Sequence, residues 1–282
     1  PRGFSNFRKK CEKYLSVNDI LSIPNSLNPD NKILYDYSIP TLSDLGFEDF
    51  DLHKDSVFRF KGGETNAKDR IKNYFFDTRN VSRYKLTRNG LIGEDYSSKF
   101  SPWLANGSVS VKYIFKLLKE YETKVEKNDS TYWLYFELIW RDFFKYVSMQ
   151  HKDKFFNKDG IYGEDKEWSD DKDVLLKWIN GKTDEPFINA NMIELSNTGF
   201  MSNRGRQNVA NYLTKELKID WRIGAEYFES MLIDYDVHSN YGNWLYNAGI
   251  GNDSMPFRKF NPKLQSERYD PDKSYEKTWL DG

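Results

Sequence analysis

From about residue 62 onward, apolar side chains return every three or four positions, the spacing of a single helix face. Val111, Ile114, Phe115 and Leu118 share one face, with Lys116, Lys119 and Glu120 off it, and Ser110 stands where a capping hydroxyl belongs. Thr65 is placed to cap an earlier helix that carries Ala67, Ile71, Tyr74 and Phe75. Asp129-Ser130 opens an aromatic segment from Tyr132 to Val147, and periodic stretches follow over 171–180, 186–197, 204–218 and 222–233. Strict apolar–polar alternation, the mark of a half-buried strand, is missing from the sequence. The pattern predicts an all-α domain over 62–282.

Residues 1–61 read differently. Phe7, Cys11 and Tyr14 suit one short helix within 4–14. After it, Ile23-Pro24-Asn25, Asn28-Pro29-Asp30 and Ile39-Pro40-Thr41 punctuate the chain with turn chemistry. This stretch is expected to be an irregular linker lying along a surface.

Composition changes the picture in two ways. Aromatic residues make up 17% of the chain, so a core can form although mean hydropathy is −0.80. Charge balances, 42 Lys plus Arg against 43 Asp plus Glu, which excludes a polycationic coat but leaves room for a local basic groove. The single Cys11 excludes a disulfide framework and a cysteine-built metal centre. His53, His151 and His238 lie far apart, so no metal site is expected. There is no apolar run long enough to cross a membrane and no leader pattern, so an intracellular protein is expected.

Four segments carry candidate chemistry. In Tyr96-Ser97-Ser98-Lys99-Phe100-Ser101-Pro102, hydroxyls and a lysine precede a proline fit for the first position of a helix, an arrangement that suits a phosphate or an ordinary capped turn. Glu137 sits among large apolar residues, Trp140 included. There it either pairs with Arg141 or accepts hydrogen bonds from a ligand. Arg204 and Arg206 follow the capping candidates Ser202 and Asn203, where the helix dipole disfavours a cation. Asp234 and Asp236 end an apolar helix, where an anion is disfavoured, so Asp234 is expected to pair with Arg206. The Asp-x-Asp spacing also suits a divalent ion, although no further acidic cluster completes a shell.

In this order the segments resemble the photolyase/cryptochrome family, specifically its cryptochrome DASH branch. The resemblance is carried by Thr87-Arg88-Asn89-Gly90-Leu91, Tyr96 to Leu104, Glu137 to Phe143, Gly199 to Asn208, Asp220-Trp221-Arg222 and Asp234 to Trp244. It implies a helical FAD-binding catalytic domain. Ser97, Ser98 and Ser101 would contact the FAD phosphates, with Tyr84 and Lys99 nearby. Arg206 and Asp234 would pair against the flavin, Asp236 would bind its edge and Asn240 would face its N5. Glu137 and Asn203 would hydrogen-bond a damaged base pair on which Trp140 packs. Trp244, Trp221 and Trp168 match the tryptophan chain that re-reduces the flavin.

Gln207 and Tyr246 stand where ordinary dimer photolyases usually carry Met and Trp, which favours the DASH branch. The resemblance therefore implies light-driven repair of cyclobutane pyrimidine dimers in single-stranded or damaged DNA, with a flavin photoreceptor as the alternative. Arg204, Arg258, Lys259 and Lys263 are basic residues suited to tracking a DNA backbone. Family members begin with an α/β domain that helps hold a folate-type antenna. This chain starts about where that domain should end, so the antenna is expected to be absent and the α/β domain to be supplied by a separate chain or to have been removed.

Overall fold

A computed structural model describes residues 3–22, 24–31, 38–48 and 50–281; Ile23, one of the expected turn residues, lies outside them. Helix α1 spans Phe4–Tyr14 and α2 spans Glu64–Lys72, which ends in a π-helical turn over Asn73–Asp77. Two short helices, α3 (Tyr84–Thr87) and α4 (Ser101–Ala105), precede α5 (Val111–Lys124) and the long α6 (Asp129–His151). Then come α7 (Lys172–Ile179), α8 (Pro186–Thr198), α9 (Asn203–Asn211), α10 (Trp221–Met231) and α11 (Val237–Ala248). The chain closes with α12 (Pro262–Tyr269) and α13 (Ser274–Leu280). Among the described residues there is no strand, only an isolated bridge between Ser169 and Ile219.

The 23-residue α6 is the spine. Its start is fixed by a capping box: Asn128 Oδ1 accepts from the backbone of Ser130 and Thr131, while Thr131 Oγ1 accepts from the Asn128 N–H. One face sends Leu134 and Leu138 into a core with Tyr74, Phe100, Trp103 and Leu118. The other sends Ile139, Phe143 and Val147 into a larger core with Trp178, Ile188, Trp221 and Trp244. Trp103, Trp178, Trp221 and Trp244 are all fully buried. At about 200 Å² of apolar area each, such rings contribute on the order of 5 kcal/mol apiece before entropy, so a few of them offset a polar average composition.

Ser110 caps α5 as expected, its hydroxyl accepting from Tyr113 N. Thr65 does not cap α2. Gly63, at φ +92, ends the preceding loop, and Thr65 falls within the first turn. Helix α1 is not free of the body: Phe4 is buried and its ring stacks on Trp140 of α6, centroids 3.6 Å apart and 8° from parallel.

Candidate functional site

Where the two cores meet, α6 flanks a cavity of about 300 Å³. Its walls are the turn before α4, the first turns of α9 and α11, the loop between α10 and α11, and Tyr84 with Arg88 of the α3 region.

The turn at 96–99 is shaped from behind. Arg70 of α2 is buried and donates to the carbonyls of Glu94, Ser97 and Ser98 and to Asp95 Oδ1. In a planar trans peptide the N–H points opposite its carbonyl. The Ser98 and Lys99 N–H groups therefore point away from Arg70. Lys99 takes φ +62, a left-handed conformation, and such a nest of N–H groups favours an anion. Ser97, Ser98 and Ser101 add hydroxyls to the same wall.

Lys99 is the key side chain. It is 2% exposed, lines the cavity, and its Nζ has no hydrogen-bond partner among the described residues. The ammonium lies over the Tyr96 ring at 3.3 Å and the Phe200 ring at 4.7 Å, and burial pushes its pKa well down. The Tyr96 hydroxyl is also buried without a hydrogen-bond partner among the described residues, and burial pushes it up. Buried polar groups left unmade are costly, so the chemistry of this wall suits an anionic ligand.

Across the cavity, Arg206 NH2 donates to Asp234 Oδ2 at 2.9 Å, and Arg206 Nε donates to the Met201 carbonyl. Gly199, at φ +65, makes this pairing possible. A Cβ there would overlap Ile233, whose N–H donates to the Gly199 carbonyl at 2.9 Å and so brings the 232–236 loop beside α9. Asp234 Oδ1 remains buried and, among the described residues, unpartnered. Asp236 is not the misplaced anion that a reading from α10 suggests. It caps α11, accepting from Ser239 N at 2.8 Å, where the dipole favours it. Asn240 is buried and donates its amide to the Ala225 carbonyl.

Glu137 also lines the cavity, paired with Arg88 and not with Arg141. Burial pushes its carboxyl up, and the Arg88 guanidinium pulls it back. Asn203 lies exposed at the rim, after the true cap Ser202, whose hydroxyl accepts from Gly205 N. Among the described residues Arg204 answers no carboxylate. It donates to Gln207 and Asn89 and lies over the Tyr269 ring. Lys259 is ion-paired with Glu216.

Trp244 lines the cavity, whereas Trp140, Trp221 and Trp168 do not. Trp140 packs between Phe4 and Phe144, edge-on to Tyr246. Trp221 is fully buried and donates Nε1 to the Lys158 carbonyl, while Trp168 is half-buried in a groove with Asp220. Sequence reasoning named Arg88 and Tyr96 only as members of motif segments, with no role for either, and did not single out Glu194. Glu194 is fully buried, accepts from Tyr275 at 2.6 Å, and has its carboxyl pushed up to about 7. Its signal was the one used for Glu137, a carboxylate inside an apolar helix face.

Residues 133–282 match the family described as the FAD binding domain of DNA photolyase. A "Cryptochrome DASH" of Gloeobacter violaceus is 50% identical over 280 residues, covering 99% of this chain and 56% of that relative. The crystal structure of a Synechocystis sp. PCC6803 cryptochrome superposes with TM-score 0.93 at 48% identity, covering all of this chain and 58% of that one. A bacterial class III photolyase from Agrobacterium tumefaciens gives 0.78 at 28% identity, over all of this chain and 57% of its own. The chain spans little more than half the length of the curated relatives it matches. Among the described residues no helix is long and apolar enough to cross a membrane.

Proposed function

The chain belongs to the photolyase/cryptochrome family, in its cryptochrome DASH branch, and on that premise we propose that it supports light-driven, FAD-dependent repair of cyclobutane pyrimidine dimers, preferentially in single-stranded DNA. FAD is the cofactor of this domain. The residues present fit it: the unpartnered Lys99 ammonium, the serine hydroxyls and the N–H nest suit a diphosphate. The Lys99 cavity wall is the observation that carries the reading. When bound, reduced and excited by light, this group's chemistry is the transient loan of one electron to a cyclobutane dimer.

The chain's own residues bind and orient. Ser97, Ser98, Lys99 and Ser101 would hold the diphosphate, with Tyr84 beside them. Asp234 Oδ1, Asp236 and Asn240 would take the flavin ring, with Arg206 holding Asp234 in place. Glu137 would accept hydrogen bonds from a lesion base edge and Asn203 would add to them from the rim. A base is more easily seated in such a pocket when no partner strand must be unpaired. Trp244, Trp221 and Trp168 would carry electrons between the cavity and the surface.

A second reading, a flavin photoreceptor without efficient repair, is favoured by the stacking of Phe4 on Trp140, which covers a ring face that a lesion would use. Blue-light illumination of the FAD-loaded chain with a dimer-containing oligonucleotide separates the two. Restored thymines, faster in single than in double strands, support repair; flavin photoreduction with the dimer intact supports the photoreceptor.

A further inference from the structure

We propose that Tyr241 is a redox-active branch of the tryptophan chain, in which an electron vacancy reaching Trp221 is filled from the Tyr241 ring while the phenolic proton passes to Glu229. The inference rests on the proposed electron-carrying role of Trp244 and Trp221, and it goes further by naming where the vacancy comes to rest.

The Tyr241 ring stands edge-on to Trp221, centroids 6.0 Å apart at 84°, with Phe156 packed edge-on against it at 4.9 Å. Both Trp221 and Tyr241 are buried, so their separation is fixed by packing. The Tyr241 hydroxyl donates to Glu229 Oε2 at 3.1 Å, and Glu229 is exposed on α10. The phenol thus has a ring neighbour for the electron and a carboxylate, open to water, for the proton. Burial and the neighbouring Glu229 push the phenol up to about 12, so it holds its proton until it is oxidised.

The alternatives offer a vacancy less. Trp221 donates Nε1 to the Lys158 carbonyl, which is not a base, so a vacancy there stays a buried positive charge. Trp168 has the Lys166 ammonium 5.9 Å from its ring, and a cation opposes a second positive charge. At Tyr241 electron and proton leave together and no charge remains on the ring.

The first electron leaves Trp244 for a one-electron oxidant of the photo-excited oxidised-flavin class, and Trp221 refills Trp244. One electron then passes from Tyr241 to Trp221, restoring its closed shell. The Tyr241 O–H bond breaks, its proton joins Glu229 Oε2, and the products are a neutral phenoxyl radical and a neutral carboxylic acid.

The test is electron paramagnetic resonance of the illuminated, FAD-loaded chain grown on ring-deuterated tyrosine. We expect a deuterium-sensitive radical that is lost in Tyr241→Phe, leaving a tryptophanyl signal, and mostly lost in Glu229→Gln, an exposed and fold-neutral change. A signal indifferent to tyrosine deuteration, or unchanged in Tyr241→Phe, overturns the proposal while the tryptophan chain stands. If light produces no protein radical, the flavin-free chain is oxidised with azide radicals, which attack indoles. A Tyr241-dependent tyrosyl signal then supports the branch while the light-driven chain falls, and its absence overturns the branch as well.

Discussion

Glu137 is held by Arg88, which lies 49 residues earlier in the chain, and not by Arg141 one turn further along α6. The partner that helix periodicity offers is thus passed over for one brought in by the fold. Removing the guanidinium leaves a largely buried carboxylate alone. We expect Arg88→Ala to cost about 2 kcal/mol, less than a fully buried pair because both groups are partly exposed. The Glu137 carboxyl should rise further, and adding Glu137→Gln should recover much of the loss. Chemical denaturation of the single and double variants checks this, and additive losses would deny the pairing.

Lys99 sets stability against binding. In the ligand-free chain its ammonium is buried without a partner, so Lys99→Met should raise the melting temperature, with the same backbone strain as before. The same change should weaken FAD binding about tenfold or more by removing a charge-assisted contact. Calorimetry and flavin titration read the two effects. A lower melting temperature with unchanged affinity would make Lys99 a structural residue.

Glu194 gives a pH dependence with a definite sign. Its carboxyl is raised by burial from 4.5 to about 7, so the folded chain holds an extra proton within that window. Stability from this group is therefore lost as pH rises from about 4.5 to about 7, by roughly 3 kcal/mol in all. Lys99, pushed down by burial, acts with the opposite sign, so parent and Glu194→Gln are compared at each pH. The variant should gain on the parent as pH rises, and parallel denaturation curves would contradict the assignment.

Gly224 of α10 faces the Trp244 ring so closely that an added Cβ would overlap both that ring and Leu213. Gly224→Ala should cost about 1–3 kcal/mol and displace Trp244. Thermal unfolding and the near-ultraviolet circular dichroism of the tryptophans check this, and an unshifted signal with full stability would deny the close approach.

Much of this was legible in the chain. The spacing of Val111, Ile114 and Leu118 after Ser110 marks α5 and its cap because both signals are local. Arg206 and Asp234 were readable as partners because each sits where a helix dipole disfavours it and they complement each other. Asp236 was misread because the sequence shows which helix it follows more plainly than which helix it begins. The Arg88–Glu137 pair and the Phe4–Trp140 stack were not legible, since each joins elements whose approach is decided by the whole core. The three carbonyls that Arg70 binds illustrate the same limit: a backbone turned toward one arginine leaves no pattern in residue types.

The most direct test of the central claim is the absorption spectrum of the purified chain supplied with FAD, recorded before and after blue light in the presence of a reductant. Bound flavin bands that bleach to the reduced form in the parent, and bleach far more slowly in Trp244→Phe, are the predicted result. No bound flavin, or bleaching indifferent to Trp244, would contradict the account of the cavity and its tryptophan chain.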